Sequence, residues 1–284
     1  MILSPESANT LVIEPPKRML SINWQELWRY RDLFITFAWR DISVRYKQTV
    51  LGIIWSVFQP LVTMVIFTFI FNKIAKVNSG DGTPYPIFLY VGLLFWQYYS
   101  NTLTNASNSM VVNAGLIQKI YFPRLIIPAT SAVTGLVDFI ISSAVLIVMM
   151  IYYKSMPHGI GIIVLPLLII STMMSAMGIG MFMAAINIKY RDVRYVLPFF
   201  IQLMMYVTPV IYPVNMLNKY PYIKFLMLFM NPISGIITSA RGLLFGEGVV
   251  NWYIMCISIV MSFVFFIGGL YYFRNTEYYF ADIV

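Results

Sequence analysis

Arg40, Arg45 and Lys47 place three cations within eight residues, directly ahead of a segment from Gln48 to Asn72 that has no Lys, Arg, Asp or Glu. Guanidinium and ammonium groups at such a boundary can hold an anionic lipid head group through charge-assisted hydrogen bonds. A plain basic anchor on the membrane surface explains the same charges. Asp138 is the second residue whose chemistry needs an account. It stands alone in the otherwise uncharged stretch Leu125–Tyr153, where an ionised carboxylate is costly. Two roles fit: a functional site, or an acid protonated or paired internally that holds helices together.

Other chemistries are missing their parts. There is no G-x-x-x-x-G-K-[ST] loop to cradle ATP phosphates and no H-E-x-x-H pair for zinc. The lone Cys256 lies in the last apolar stretch, excludes an intrachain disulfide and reads as a packing residue. The lone His158 sits beside a turn and reads as solvent-facing; no metal site is supported. A membrane-embedded glycosyl or acyl transferase would need an acid–base set, and Asp138 without a buried histidine partner gives it thin support.

The elements that carry these residues follow from composition. Of 284 residues, 60% are hydrophobic and 11% charged, with a mean hydropathy of +0.76. Soluble domains carry about 25% charged residues, so the chain is an integral membrane protein. Apolar runs without strand alternation predict an all-α polytopic fold, because lipid-facing backbone must satisfy itself. Six spans are expected, at roughly 50–72, 86–111, 125–152, 160–187, 195–212 and 250–273. A cytoplasmic segment, 1–47, precedes this six-span transmembrane domain of 48–274, and a cytoplasmic tail, 275–284, follows it. Residues 1–47 lack the apolar core and cleavage site of a signal peptide. With six spans, thirteen Lys and Arg flank one side and six the other, which puts both termini in the cytoplasm. The pI near 9.4 then reflects topology and inner-leaflet lipid rather than nucleic acid.

Within that frame, Ile35, Ala38, Trp39, Ile42 and Tyr46 recur at helical spacing, with Arg40, Ser43 and Lys47 on another face and Asp41 in reach of Arg45. This predicts an amphipathic helix lying in the interface. The turn residues Gly80, Asp81, Gly82 and Pro84 mark a loop between the first two spans. The region 213–248 is apolar but broken by Pro213, Pro221, Pro232 and Gly235, which predicts re-entrant or interfacial half-helices. Ala176, Gly180 and Ala184 form a stripe for close helix packing. Phe95, Trp96, Tyr98 and Tyr99, with Tyr206 and Tyr212, lie near span ends. They read as an interfacial belt or as rings facing a channel, where they could stack on sugars. No internal repeat is apparent.

An ordered series of short motifs sharpens this picture. Trp39–Lys47, Val50-Leu51-Gly52-Ile53-Ile54-Trp55 and Pro60 come first, then Pro84-Tyr85-Pro86, Gly92–Trp96 and Asn105–Ser109. Asn113, Leu116–Arg124, Pro128, Asn187, Tyr190-Arg191-Asp192-Val193, Pro209–Pro213, Asn231-Pro232 and Arg241 complete it. From about residue 24 to 274, the chain resembles the permease subunits of bacterial polysaccharide ABC exporters, which move O-antigen, capsule or teichoic acid polymers. The resemblance implies a homodimer in the bacterial inner membrane, paired with two copies of a separate ATPase that binds ATP and Mg, while this chain holds no cofactor. The substrate would be a polysaccharide on a polyprenyl pyrophosphate carrier. Trp39, Arg40, Arg45, Tyr46 and Lys47 would form the cytoplasmic gate and head-group site. Asn113–Arg124, through Gln118, Lys119, Tyr121, Phe122 and Arg124, would dock on the ATPase, with Tyr190, Arg191 and Asp192 as a second contact. Phe95, Trp96, Tyr98, Tyr99, Tyr206, Pro209 and Tyr212 would line the channel or its outer gate. An exporter of a drug or simple lipid with the same architecture is the rival; the basic helix and the aromatic load argue against it.

Overall fold

The computed structural model describes residues 24–47, 50–80, 82–155, 157, 159–190, 192–245 and 250–277, the side chains of 24 and 50–53 excepted. Gln48, Asp81, His158, Arg191, Gly248 and most of the tail lie outside the described residues. All regular elements among the described residues are helical. Two helices, α1 (Trp24–Arg29) and α2 (Arg31–Lys47), precede α3 (Val50–Phe67), which runs on as a π-helix over Thr68–Ile74. Then come α4 (Tyr85–Val112), the short α5 (Ala114–Ile117), α6 (Ile126–Tyr152) and α7 (Gly159–Lys189). The last part holds α8 (Val193–Val207), a 3-10 turn over Val214–Lys219, α9 (Pro221–Met230), α10 (Pro232–Leu244) and α11 (Trp252–Thr276). Prolines open α9 and α10 at positions where no helical N–H is lost. The side chain of Asn251 caps α11 by accepting from the Ile254 amide at 3.3 Å.

Among the described residues, four helices are long and apolar enough to cross a membrane: Ile54–Ile74, α6, α7 and α11. The α9–α10 pair, bent by 99°, makes a fifth if counted as one crossing. This is the broken segment expected over 213–248. The difference from six expected spans lies in two helices that fail for opposite reasons. α4 has 28 residues, about 42 Å at 1.5 Å per residue, but its second half carries Asn101, Thr102, Thr104, Asn105, Ser107, Asn108 and Ser109. α8 is apolar but has 15 residues, about 22 Å. Helix therefore stops at Val207, short of the expected boundary at 212, and non-helical chain continues to Pro213.

The polarity of α4 is explained by where it sits. It packs against α3, α6, α7 and α10, and its residues from Ile87 to Trp96 are buried almost without exception. The Ala176–Gly180–Ala184 stripe of α7 faces it: a Cβ on Gly180 would come 2.7 Å from the Ala106 Cβ. The stripe is thus an intramolecular contact.

One end of the bundle gathers several chain segments. Asn187 near the end of α7 donates to the Ser107 carbonyl (3.1 Å) and to Asn108 Oδ1 (3.2 Å) of α4. Arg40 of α2 donates to Asn113 Oδ1 at 3.1 Å. Arg124 donates to the carbonyl of Glu277, just past α11, and Glu277 pairs with Arg274 at 2.9 Å. The C-terminal ends of α4, α7 and α11 and the start of α6 therefore share this end with α2.

Candidate functional site

The α2 helix is fastened to α6 at two levels. Near the start of α6, Thr130 donates to Asp41 Oδ2 at 3.1 Å, and Asp41 Oδ1 takes the Arg40 guanidinium at 2.7 Å. Eight residues further along α6, about 12 Å at helical rise, Arg45 pairs with Asp138 Oδ2 at 2.8 Å and the Tyr46 hydroxyl donates to Asp138 Oδ1. The Arg45 contact is an ion pair without an aligned hydrogen bond at Oδ2. Desolvation, reinforced by the bond to Asp138, holds the Tyr46 hydroxyl well above its ordinary pKa of 10.0, so it stays a donor at neutral pH. Of the two roles open to Asp138 from sequence, the structure realises internal pairing.

Two expectations for α2 need correcting. First, Asp41, expected to meet Arg45, is engaged by its neighbour Arg40 and by Thr130, while Arg45 reaches the deeper Asp138. Second, the expected apolar face is split. Ala38 is buried, but Ile35 and Trp39 are 60% and 67% exposed, and Phe37 is buried in their place. The contacts climb α6 from Thr130 to Asp138, so α2 runs alongside the first half of that helix. Packing against α6 overrides the lipid-facing pattern read from spacing. Lys47, the last residue of α2, is exposed.

Beside Asp138, a cavity of about 150 Å³ opens between α3, α4 and α6. Gln59, Gln97, Tyr98, Asn101 and Ser142 supply its polar wall, and Trp55 and Phe139 its aromatic one. The Tyr98 hydroxyl is buried with no hydrogen-bond partner among the described residues.

The aromatic cluster of α4 lies where sequence could not place it. Phe95, Trp96, Tyr98 and Tyr99 are all within the core of the chain. Phe95 and Tyr98 pack on Phe139 at 5.3 and 5.5 Å, and Trp96 on Tyr99 at 5.7 Å. Surrounded by α3, α6, α7 and α10, α4 has no free side on which Phe95, Trp96 or Tyr99 could line a channel; Tyr98 alone of the four reaches the cavity. Tyr206 is half exposed, Pro209 is buried, and the Tyr212 hydroxyl donates to the Val207 carbonyl at 2.7 Å.

The break after α8 is held by a residue that sequence reading noted only as part of a motif. Arg241 of α10, 4% exposed, donates to the carbonyls of Phe88 (3.0 Å), Pro209 (2.6 Å) and Val210 (2.5 Å). Its guanidinium also lies 3.6 Å from the centre of the Phe88 ring. Tyr85 donates to the Ile211 carbonyl at 2.7 Å, and Asn231 to Thr208 Oγ1 at 2.8 Å. Non-helical backbone is tolerated at membrane depth only where protein satisfies its polar groups, and these donors do so. Gly92 makes the room: a Cβ there would stand 2.8 Å from the Val210 carbonyl oxygen and collide with the Arg241 guanidinium. The signal in sequence was a lone arginine in an apolar stretch.

The expected docking loop is divided between surface and core. Gln118, Lys119 and Tyr121 are exposed, Tyr121 by 61%, as is Ile120 between them. Phe122 is 4% exposed and packs edge-on against Phe37 at 5.7 Å. It is therefore unavailable as an anchor for a partner. Arg124, half-buried, is engaged with Glu277 rather than projecting. Tyr190 and Asp192 are exposed, with Lys189 lying 5.3 Å from the Tyr190 ring; Arg191 is outside the described residues. Because Asn187 ties α7 to α4, the two exposed loops emerge at the same end of the bundle.

The described residues thus form a helical membrane bundle with a bent helix pair and two exposed loops at one end. Residues 32–245 match the ABC-2 type transporter family, and the chain belongs to it. Among curated relatives, an O-antigen export system permease protein RfbA of Klebsiella pneumoniae is 31% identical over 254 residues, covering 89% of this chain and 95% of its own. A second protein of that name from Klebsiella pneumoniae is 30% identical over the same shares, and one from Myxococcus xanthus 26% over 78% of this chain and 83% of its own. Membership makes this chain a membrane-embedded transporter subunit, not an enzyme, and implies an ATPase partner. The permease subunit of such a pair is not expected to carry a cofactor itself.

Proposed function

We propose that the chain is half of a homodimeric permease that, with two copies of a separate ATPase binding ATP and Mg, exports a lipid-linked O-antigen-like polysaccharide across the bacterial inner membrane. The observation that carries this is the 31% identity, across 95% of its length, to a protein named as an O-antigen export permease. Both termini lie in the cytoplasm, a reading supported by the excess of Lys and Arg on their side. The shared end formed by α2, the loop 113–125 and the loop after α7 is then cytoplasmic and faces the ATPase. Lys47, at the far end of α2 about 12 Å further along α6, meets the pyrophosphate of the carrier with Arg45 and Tyr46 beside it, while Arg40 and Trp39 line the approach from that end. Tyr206, Pro209 and Tyr212 belong to the outer part, near the bent α9–α10 pair.

A deletion strain should lose its surface polysaccharide while the lipid-linked polymer accumulates inside; a normal surface glycan profile defeats the proposal. Lys47→Ala keeps the Arg45–Asp138 pair and removes an exposed cation. It is expected to lower surface polysaccharide several-fold at unchanged membrane abundance, and normal export by this variant excludes Lys47 from the head-group site.

A further inference from the structure

The pairing of Arg45 and Tyr46 with Asp138 suggests more than an anchor. We propose that Asp138 is a positioning residue, a latch that holds the end of α2 against α6, and that a phosphate-bearing head group opens it by competing for Arg45. The proposal rests on the head-group reading above and deepens it.

The geometry is that of a latch with one firm and one exchangeable end. Asp138 is 6% exposed and fixed in the middle of α6, so its carboxylate cannot follow a moving partner. The Arg45 side chain is 37% exposed and lies close to the end of α2. A second anion can therefore reach the guanidinium from outside while Asp138 holds it from within. Phosphate accepts from guanidinium in the same forked geometry as carboxylate. Once Arg45 turns to phosphate, Asp138 keeps only the Tyr46 hydroxyl, and the carboxylate borders the cavity of about 150 Å³ beside it, which has room and polar groups to hydrate it. The upper fastening, through Asp41, Arg40 and Thr130, does not involve Arg45 and stays in place. Opening then swings the Lys47 end of α2, next to the first span, and leaves the other end fixed.

Ser142 of α6 reports the state of this latch. It is 6% exposed and, one turn past Asp138, lines the same cavity as Arg45, so it is covered while the latch is shut and uncovered when the Lys47 end of α2 swings away. In the full complex in native membranes, with Cys256→Ser to remove the native thiol, Ser142→Cys gives a site for a small maleimide. Asp138→Asn and, independently, Arg45→Gln should each raise the labelling rate roughly tenfold, the factor for about 1.4 kcal/mol of a charged contact. The charge swap Arg45→Asp with Asp138→Arg should return it toward the parent rate, which general loosening of the fold would not do. Inorganic pyrophosphate, against sulfate at matched ionic strength, should speed labelling of the parent and not of Asp138→Asn. If neither single variant labels faster, or the swap fails to restore protection, the latch is overturned. If pyrophosphate leaves the parent rate unchanged, competition by phosphate is overturned. Surface polysaccharide in the deletion strain complemented with the unmodified chain tests the export reading separately.

Discussion

Replacing Arg241 by methionine is expected to destabilise the protein by about 3 kcal/mol or more, because it strands two carbonyls of the break after α8 that the guanidinium now serves. A buried acceptor left without its donor costs about 1–3 kcal/mol, and the non-helical carbonyls of Pro209 and Val210 would both lose theirs, while Phe88 keeps its helical partner and loses only the added bond. Thermal midpoints in detergent should fall by roughly 6–12 °C, taking about 2–4 °C per kcal/mol for a chain of this size. Arg241→Lys keeps the charge but not the fork of donors, and should fall between. Gly92→Val acts on the same clamp from the opposite side, pushing bulk into the space of the guanidinium and the Val210 carbonyl. It should match Arg241→Met in effect, and the double variant should cost clearly less than the two together, since both break one contact. Additive losses would show that the two residues act separately.

The second large effect separates neighbours. Phe122→Ala should cost about 3–5 kcal/mol, the usual loss for truncating a buried phenylalanine, because the ring fills a site against Phe37. Tyr121→Ala should leave stability within about 0.5 kcal/mol, as for an exposed position, yet sharply reduce recovery of the ATPase subunit on copurification. Exposed aromatics are the residues that anchor partner surfaces. Unfolding midpoints and copurification yields on the two variants decide the matter. Equal ATPase recovery from Tyr121→Ala and the parent excludes that side chain from docking.

Both cases show what could be read from the chain alone. Helical class, the membrane and the broken segment before the last span followed from hydropathy and from Pro213, Pro221 and Pro232, because those signals are local. Asp138 was recognised as unusual for the same reason. Its partners were not, since Arg45 and Asp138 are 93 positions apart and nothing local joins them. Tyr121 and Phe122 could not be told apart in a connector that lacks helical periodicity. The ring cluster of α4 was ambiguous because a helix buried on all sides and one at an aromatic belt have the same composition. The Arg241 clamp brings together residues near 88, 209 and 241, an arrangement that only the folded chain defines.

The polar second half of α4 has a consequence for how the protein is made. Seven amides and hydroxyls between Asn101 and Ser109 give a segment that partitions poorly from the translocon into lipid, where each polar group carries a penalty. Its neighbours α6 and α7, which supply the surroundings that make it acceptable, are synthesised later. The growing chain must therefore keep α4 out of open bilayer until those helices arrive, so the bundle is inserted as a cooperative group rather than one segment at a time.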